Sequence, residues 1–372
     1  MLAKGYLPDD GGIERYSADL ARAYAAAGER VYVLTQSSVG PGVRRDGRVI
    51  VIDLGRRSQA ALLPMFAQAW RALARRVRPR FVHATTWRLA LPAFAVRRRP
   101  PLVITVHGRE VFVVPGPLKP LMRRALAAAE QVVVVSETIR RAAAAILPTE
   151  RWQVVWNGSA FADVAAAPPA LARAEAAAAA GTSGPVRLFT FCRLVARKNV
   201  AGAVRAVALL VERGHRDIDY VIAGDGPERA AIAALIEAHG LHGQVRMLGR
   251  INDAAIPGLY TAADIFVHPQ VDLAGDVEGF GLVIADAMCF GAAVVAGRDG
   301  GPADFVRLGE TGLLVDGHDP AAIADALEML ITRPAERHAI AARAARWAAD
   351  SLSWRTAAER IVRLVEGRSG PA

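Results

Sequence analysis

The sequence predicts the α/β class, with two doubly wound parallel sheets in a chain of 372 residues. Two observations carry this. Short apolar runs rich in β-branched residues alternate with amphipathic segments, which is the pattern of parallel strands buried between helices. The alternation then occurs a second time, after an Ala- and Pro-rich stretch with few strand formers at 162–185. A chain of this length is also too long for one ordinary domain and comfortable for two.

In the first half the expected strands are RVYVLT (30–35), RVIVIDL (48–54), RFVHA (80–84), PLVITVH (101–107) and QVVVVS (131–136). IERYSADLARAYAAAG (13–28) between the glycine loop and the first of these has helical periodicity, and Gly28 is placed to end it. The second half offers VRLFTF (186–191), DYVIAG (219–224), QVRMLG (244–249), DIFVHP (264–269) and AAVVAG (292–297). The expected boundaries are a first domain over 1–165, a linker over 166–185, a second domain over 186–350 and a last helical segment over 351–372. Only MLAKGYL precedes the first glycine loop, so the opening strand looks clipped against the ~5 residues usual for a strand.

Hydrophobic residues make up 53% and charged residues 22%, which describes a globular chain and not a disordered one. No apolar run reaches the ~20 residues that cross a bilayer, and no signal peptide opens the chain. Cys192 and Cys289 form neither a disulfide framework nor a metal-site spacing, so a cytoplasmic place is expected. The net charge of +10 is uneven: residues 1–160 hold 25 Lys and Arg against 11 Asp and Glu. Such a basic half suits an anionic membrane surface or nucleic acid. No nucleic-acid motif accompanies it, so peripheral contact with the inner face of the plasma membrane is expected and nucleic acid is not. A solvated, Arg-rich face without a partner explains the same charge.

Ligands of open parallel sheets bind beyond the carboxyl ends of the strands. The polar residues there are His83, His107, Ser136, Asn157, Arg193, Gly224, Arg250 and His268. FCRLVARKN (191–199) sets Arg193 and Lys198 about a helix start, an arrangement that suits a diphosphate. Gly11 and Gly12 let backbone approach a ligand, in a pattern that is not the dinucleotide fingerprint. GRDGGPADFV (297–306) carries a second glycine pair. The Asp-x-Asp at 217–219 opens a strand, the wrong end for a metal site. In EGFGLVIADAM, Glu278 stands beside a helix start and Asp286 inside that helix, so two hydroxyl-binding acids flank a phosphate seat.

Taken in order, GGIERY, HG (107–108), NG (157–158), RLVARKN, GDGPER, HP (268–269), EGFGLVIADAM and ETGLLV resemble glycosyltransferase family 4 over nearly the whole chain. The resemblance implies a GT-B fold, two Rossmann-like domains facing across a cleft, with SLSWRTAAERIVRLVE (351–366) crossing back to the first. It implies retaining transfer of a sugar from a nucleotide-diphosphate sugar to a hydroxyl acceptor, a glycan or a lipid-linked one, in cell-envelope or exopolysaccharide synthesis. The diphosphate would fall to Arg193 and Lys198, with the backbone of Gly12 approaching it and Gly11 beside it. Glu278 would take the donor sugar, Asp286 the ribose, and His107 the reacting sugar on the acceptor side. Gly279, Phe280, Gly281 and Leu282 would offer backbone to phosphate, and Gly249, Arg250 and Ile251 complete the nucleotide-binding set. No metal or other cofactor is implied, because fixed cations can stabilise the leaving phosphate.

Two positions depart from the family pattern. Asp286 stands where glutamate is usual, and Cys192 where glycine precedes the arginine. A side chain at 192 is expected to crowd the phosphate loop. These departures motivate a catalytically silent nucleotide-sugar binding protein as one alternative. An epimerase of the same fold is another, and a nucleic-acid-binding protein a third.

Overall fold

A computed structural model describes residues 1–9, 11–56, 58–147, 151–162, 184–274 and 276–367. The chain forms two compact units, Met1–Gly158 with Trp354–Ala372, and Ser159–Ser353. Of the expected linker 166–185, all but its last two residues lies outside the described residues.

The first unit contains β1 (Tyr32–Thr35), β2 (Gly42–Asp46), β3 (Val49–Asp53), β4 (Val82–Ala84), β5 (Leu102–Val106), β6 (Gln131–Val134) and β7 (Trp152–Val154). Strand order is β1-β3-β2 on one side and β4-β5-β6-β7 on the other. Leu2 joins the two groups, bridged to Leu34 and to Ala84. Its N–H donates to the His83 carbonyl at 2.8 Å, and that of Ala3 to the Leu34 carbonyl at 2.9 Å. The clipped first strand is thus a single bridging residue in the slot where a full strand was expected. All five expected strands form, with parallel pairing.

In the first unit sequence reasoning missed β2 and β7. The first, GVRRD, runs antiparallel to β3 as a mostly exposed edge and carries no apolar run to betray it. Arg44 on β2 reaches Asp53 at 2.7 Å.

The helix Gly12–Ala26 packs its buried face, including Tyr16, Leu20 and Tyr24, against the sheet. It ends on Gly28 at φ +93, where the Glu29 N–H returns to the Tyr24 carbonyl at 3.0 Å. Glycine is needed there because a Cβ disfavours that left-handed conformation. The helix Trp354–Val365 buries Trp354, Ala357, Ala358 and Ile361, one helical stripe, and packs against Gly12–Ala26. The indole of Trp354 meets the Tyr16 ring edge-on at 5.4 Å.

The second unit holds β8 (Val186–Phe191), β9 (Ile218–Ala223), β10 (Val245–Gly249), β11 (Ile265–His268), β12 (Ala293–Gly297) and β13 (Leu313–Val315). All pair in parallel, in the order β10-β9-β8-β11-β12-β13. The chain starts in the middle, builds outward to β10, then returns to lay β11 on the other side of β8. The order reverses between β8 and β11, and ligands of open α/β sheets bind at such a switch point. Its core gathers Leu188, Val204, Tyr220, Ile222, Ile265, Val295 and Leu327. Burying each such side chain contributes roughly 1.5–3 kcal/mol, which is why these apolar runs seek the sheet interior.

Candidate active site

The loop that leaves β8 at the switch point begins with Cys192. The expectation that its side chain crowds a phosphate loop is overturned: Cys192 is buried and belongs to the core of the second unit. Burial pushes its thiol up to about 11, so it stays neutral. What comes close in this loop is backbone. A Cβ on Gly224 would lie 1.9 Å from the Cys192 carbonyl oxygen, and one on Gly226 2.3 Å from that of Leu194. GDGPER therefore needs its glycines to let two strand-end loops touch. Arg193 lies between these contacts, exposed and without a carboxylate partner among the described residues.

Lys198 closes a short turn, Ala196–Lys198, and is buried. Its ammonium forms a close ion pair with Glu278 Oε2. His268, the last residue of β11 and fully buried, joins them. Its Nε2 stands 3.4 Å from Lys198 Nζ and 3.8 Å from Glu278 Oε2. Burial alone would raise the Glu278 carboxyl, but the Lys198 ammonium outweighs it and holds the group well below the usual carboxylate range. His268 is pushed down to about 4, first by burial and then by Lys198, so its imidazole is neutral.

The helix start expected beside Lys198 is not a free one. Asn199, at φ +51, caps the helix Val200–Glu212 by accepting from the Gly202 N–H at 3.2 Å. The uncapped start belongs instead to the helix Leu282–Cys289, whose N-cap Gly281 sits at φ +89 with no side-chain hydrogen bond. Phe280 is buried against Phe305, with ring centroids 4.7 Å apart. The second glycine pair explains itself here. A Cβ on Gly300 would lie 2.5 Å from the Glu278 carbonyl oxygen, and one on Gly301 2.1 Å from that of Gly279. The Gly301 N–H donates to the Glu278 carbonyl at 2.8 Å, so the two glycine loops lock together and fix Glu278.

Asp286 is buried one turn into this helix, where its Oδ1 accepts from the Ser159 hydroxyl at 2.6 Å. Nothing in the sequence pattern singled out Ser159 as that partner. Gly249, at φ +69, ends β10, and Arg250 beyond it is exposed, 3.8 Å from Asp225. Ile251 follows, half-buried.

In the first unit His107 follows β5. Its ring meets Tyr16 edge-on at 4.6 Å, its backbone N–H donates to Glu110 at 2.5 Å, and its Nε2 is buried without a hydrogen-bond partner among the described residues. Burial lowers its pKa. Tyr16 lies four residues into the helix that Gly11 caps and Gly12 begins, so the glycine loop and His107 belong to one corner of the unit. His83, among the strand-end residues, is not at an end. It sits inside β4, bonded to the Tyr24 hydroxyl at 2.9 Å and to Thr105 at 2.7 Å, and Thr105 meets the Tyr16 hydroxyl at 2.8 Å. Ser136 caps the helix Glu137–Ala144. Among the described residues no cluster of His, Cys, Asp and Glu could hold a metal ion, and no helix is long and apolar enough to cross a membrane.

Lys198, Glu278, His268 and the uncapped helix start thus converge at the switch point, with Arg193 exposed on the same loop. Such a grouping of cations, a buried carboxylate and free backbone N–H groups is chemically able to receive an anion that bears hydroxyls.

Residues 176–347 match the family of glycosyl transferases group 1, and residues 10–159 match Glycosyltransferase Family 4. A GDP-mannose-dependent alpha-(1-6)-phosphatidylinositol monomannoside mannosyltransferase from Mycolicibacterium smegmatis is 35% identical over 178 residues, 47% of this chain and 46% of that protein. The chain spans about half the length of the curated relatives it matches. Sucrose-phosphate synthase from Thermosynechococcus elongatus superposes with a TM-score of 0.77 at 22% identity, over 98% of this chain and 97% of that one. The Anabaena protein HepE in complex with UDP and glucose gives a TM-score of 0.76 at 21% identity, over 98% and 99%. These likenesses establish the fold as GT-B. Two family matches that follow one another along the sequence, on that shared fold, place the chain: it belongs to the group 1, family 4 glycosyltransferases.

Proposed function

We propose that the protein transfers a sugar from a nucleotide-diphosphate sugar to a hydroxyl acceptor with retention of configuration, in cell-envelope or exopolysaccharide glycan synthesis. The observation that carries this is the buried Lys198–Glu278 pair at the switch point, beside an uncapped helix start and the exposed Arg193. Arg193 and Lys198 hold the diphosphate. Glu278, kept ionised, accepts hydrogen bonds from the donor sugar. Leu282 and its neighbours in the glycine loop present backbone to phosphate, and Gly249, Arg250 and Ile251 border the nucleoside. Asp286 supports the helix and faces the ribose side. In the first unit the backbone of Gly12, with Gly11 beside it, serves the diphosphate, and His107 serves the reacting sugar on the acceptor side.

As the sugar–phosphate bond breaks, negative charge grows on the diphosphate and positive charge on the sugar. Fixed donors aimed at that charge lower the barrier, and losing one comparable donor costs ~3–4 kcal/mol. The chain's own cations supply this, so the reaction is proposed to need no metal. Attack from the face the phosphate leaves accounts for retention. Glu278, engaged by Lys198, suits a hydrogen-bond acceptor better than a nucleophile.

The GDP-mannose-dependent relative and the UDP-bound neighbour both support a nucleotide-sugar donor. For the acceptor, the excess of Lys and Arg in residues 1–160 supports peripheral contact with anionic lipid on the cytoplasmic face. The helix Lys119–Ala127 adds to this, exposing Lys119, Leu121, Arg123 and Arg124.

Thermal unfolding against UDP, GDP, ADP and their sugar conjugates, with and without EDTA, tests the reading. One base should raise the melting temperature, EDTA should not matter, and Arg193→Ala should weaken the shift. No shift with any nucleotide, in protein that melts cooperatively, would overturn it. Conversion of the donor without an acceptor would point to an epimerase, and binding without turnover to a silent protein.

A further inference from the structure

His268 has no assigned part in the chemistry, yet it is the third member of the buried cluster. Its Nε2 faces both Lys198 Nζ and Glu278 Oε2, at 3.4 and 3.8 Å, while its Nδ1 is buried without a partner among the described residues. The charged groups that bear on it are Lys198, Glu278 and Arg197, and Arg197 pairs with Asp276 at 3.5 Å. The Phe266 ring lies parallel to it, with centroids 6.1 Å apart.

At rest the cluster is neutral: one ammonium, one carboxylate and an uncharged imidazole. Arg193, exposed on the same loop, adds one positive charge. A nucleotide sugar brings a diphosphate diester with two negative charges, and within the cluster the Lys198 ammonium is the group that would turn towards it. Turning it away leaves the Glu278 carboxylate buried without its partner, and a buried charge of that kind is expensive. The imidazole nitrogen already faces the carboxylate oxygen.

We propose that His268 is a positioning residue that takes up one proton from solvent on Nε2 when the donor binds, so that an imidazolium replaces the Lys198 ammonium as the partner of Glu278. Lys198 is then free for the diphosphate, and Glu278 stays ionised to accept from the sugar hydroxyls. The charges balance as well: Lys198, protonated His268 and Arg193 against Glu278 leave two positive charges to meet two negative ones. Its low resting basicity follows from the same geometry, since Lys198 at rest repels the proton that Glu278 and the incoming anion together would hold.

The inference rests on the donor reading above, and calorimetry separates the two. UDP-glucose and GDP-mannose are titrated into the full chain at neutral to mildly acidic pH, in two buffers of different ionisation enthalpy. The diphosphate diester of these probes does not itself titrate in that range, so any proton taken up belongs to the protein. Uptake should approach about one proton per bound donor, and affinity should tighten by up to about tenfold for each pH unit lowered through the histidine range. His268→Gln should abolish the uptake. Should that variant fail to fold, Glu278→Gln, which removes the carboxylate that holds the imidazolium, should abolish it too. Binding of either probe with no proton uptake in the wild type would overturn the inference and leave the donor reading standing. Uptake that survives in a folded His268→Gln would also overturn it. Failure of these probes and of ADP-glucose to bind would overturn both.

Discussion

His268 and His107 occupy like positions, each at the carboxyl end of a central parallel strand, but their surroundings are built from opposite materials. Around His268 lie an ammonium, a carboxylate and a guanidinium. Around His107 lie a phenol ring and, behind it, a chain of uncharged hydrogen bonds running from Tyr16 through Thr105 and His83 to Tyr24. Two charges bear on His107 from a distance: the carboxylate of Glu110, which is engaged by the histidine's own backbone N–H, and the ammonium of Lys4. On the proposed reading, strand ends set where a ligand comes and the residue types there decide which part of it is met. Charges suit a diphosphate, and neutral polar groups suit sugar hydroxyls.

The largest expected effect tests the charged side. Lys198→Met leaves Glu278 buried without its ammonium, and breaking a buried pair in this way costs about 3–5 kcal/mol. Thr105→Val in the neutral chain leaves the Tyr16 hydroxyl and His83 Nε2 each one partner short, for about 1–3 kcal/mol. Urea unfolding of the two variants should rank them in that order. A Lys198→Met variant as stable as wild type would break the comparison, because the pair would then be electrostatically idle.

Acid should affect both regions through their histidines. His268 is lowered to about 4 and His83 to about 3, each mainly by burial. The unfolded chain therefore takes protons that the folded chain refuses. The stability these imidazoles contribute is intact above their ordinary pKa of about 6.5 and is lost as pH falls towards the folded values, by up to about 1.4 kcal/mol per pH unit each. Glu278 works in a lower window. Its folded pKa is depressed, so its contribution persists until the pH falls below the ordinary carboxylate value. Urea midpoints between neutral pH and about pH 5 should fall steadily, and His83→Gln should flatten that slope by removing one of the protons taken up on unfolding. An unchanged slope in that variant would mean His83 already titrates in the folded chain.

Much of this was legible in the sequence, for physical reasons that also mark where it was not. Apolar strands such as PLVITVH and DIFVHP announce themselves because both faces are buried. GVRRD in β2 does not, because an exposed edge strand needs no apolar run. Arg193, Lys198, Glu278 and Gly281 were readable as site candidates from their place at strand ends and helix starts. That Lys198 binds Glu278 was not, since 80 residues separate them and only the sheet order brings β8 beside β11. Cys192 misled for a related reason. Its position suggested a phosphate loop, but whether a side chain faces loop or core depends on the pleat at the end of β8. Ser159 and Asp286 lie 127 residues apart, and no local pattern couples them.

The smallest expected effect sharpens the neutral side. Tyr16→Phe removes one hydroxyl from the chain beneath His107 and keeps the ring that His107 packs against. Thr105 retains His83 as a partner, at 2.7 Å, so no buried donor is left alone there. The loss should be close to the net worth of one hydrogen bond, about 1 kcal/mol. His107 should keep its position, which the chemical shifts of its ring protons would report. If Tyr16→Phe instead cost as much as Lys198→Met, the neutral chain would be acting as one cooperative unit. The contrast between the two histidines would then lie in how each network is charged and not in how strongly it is held.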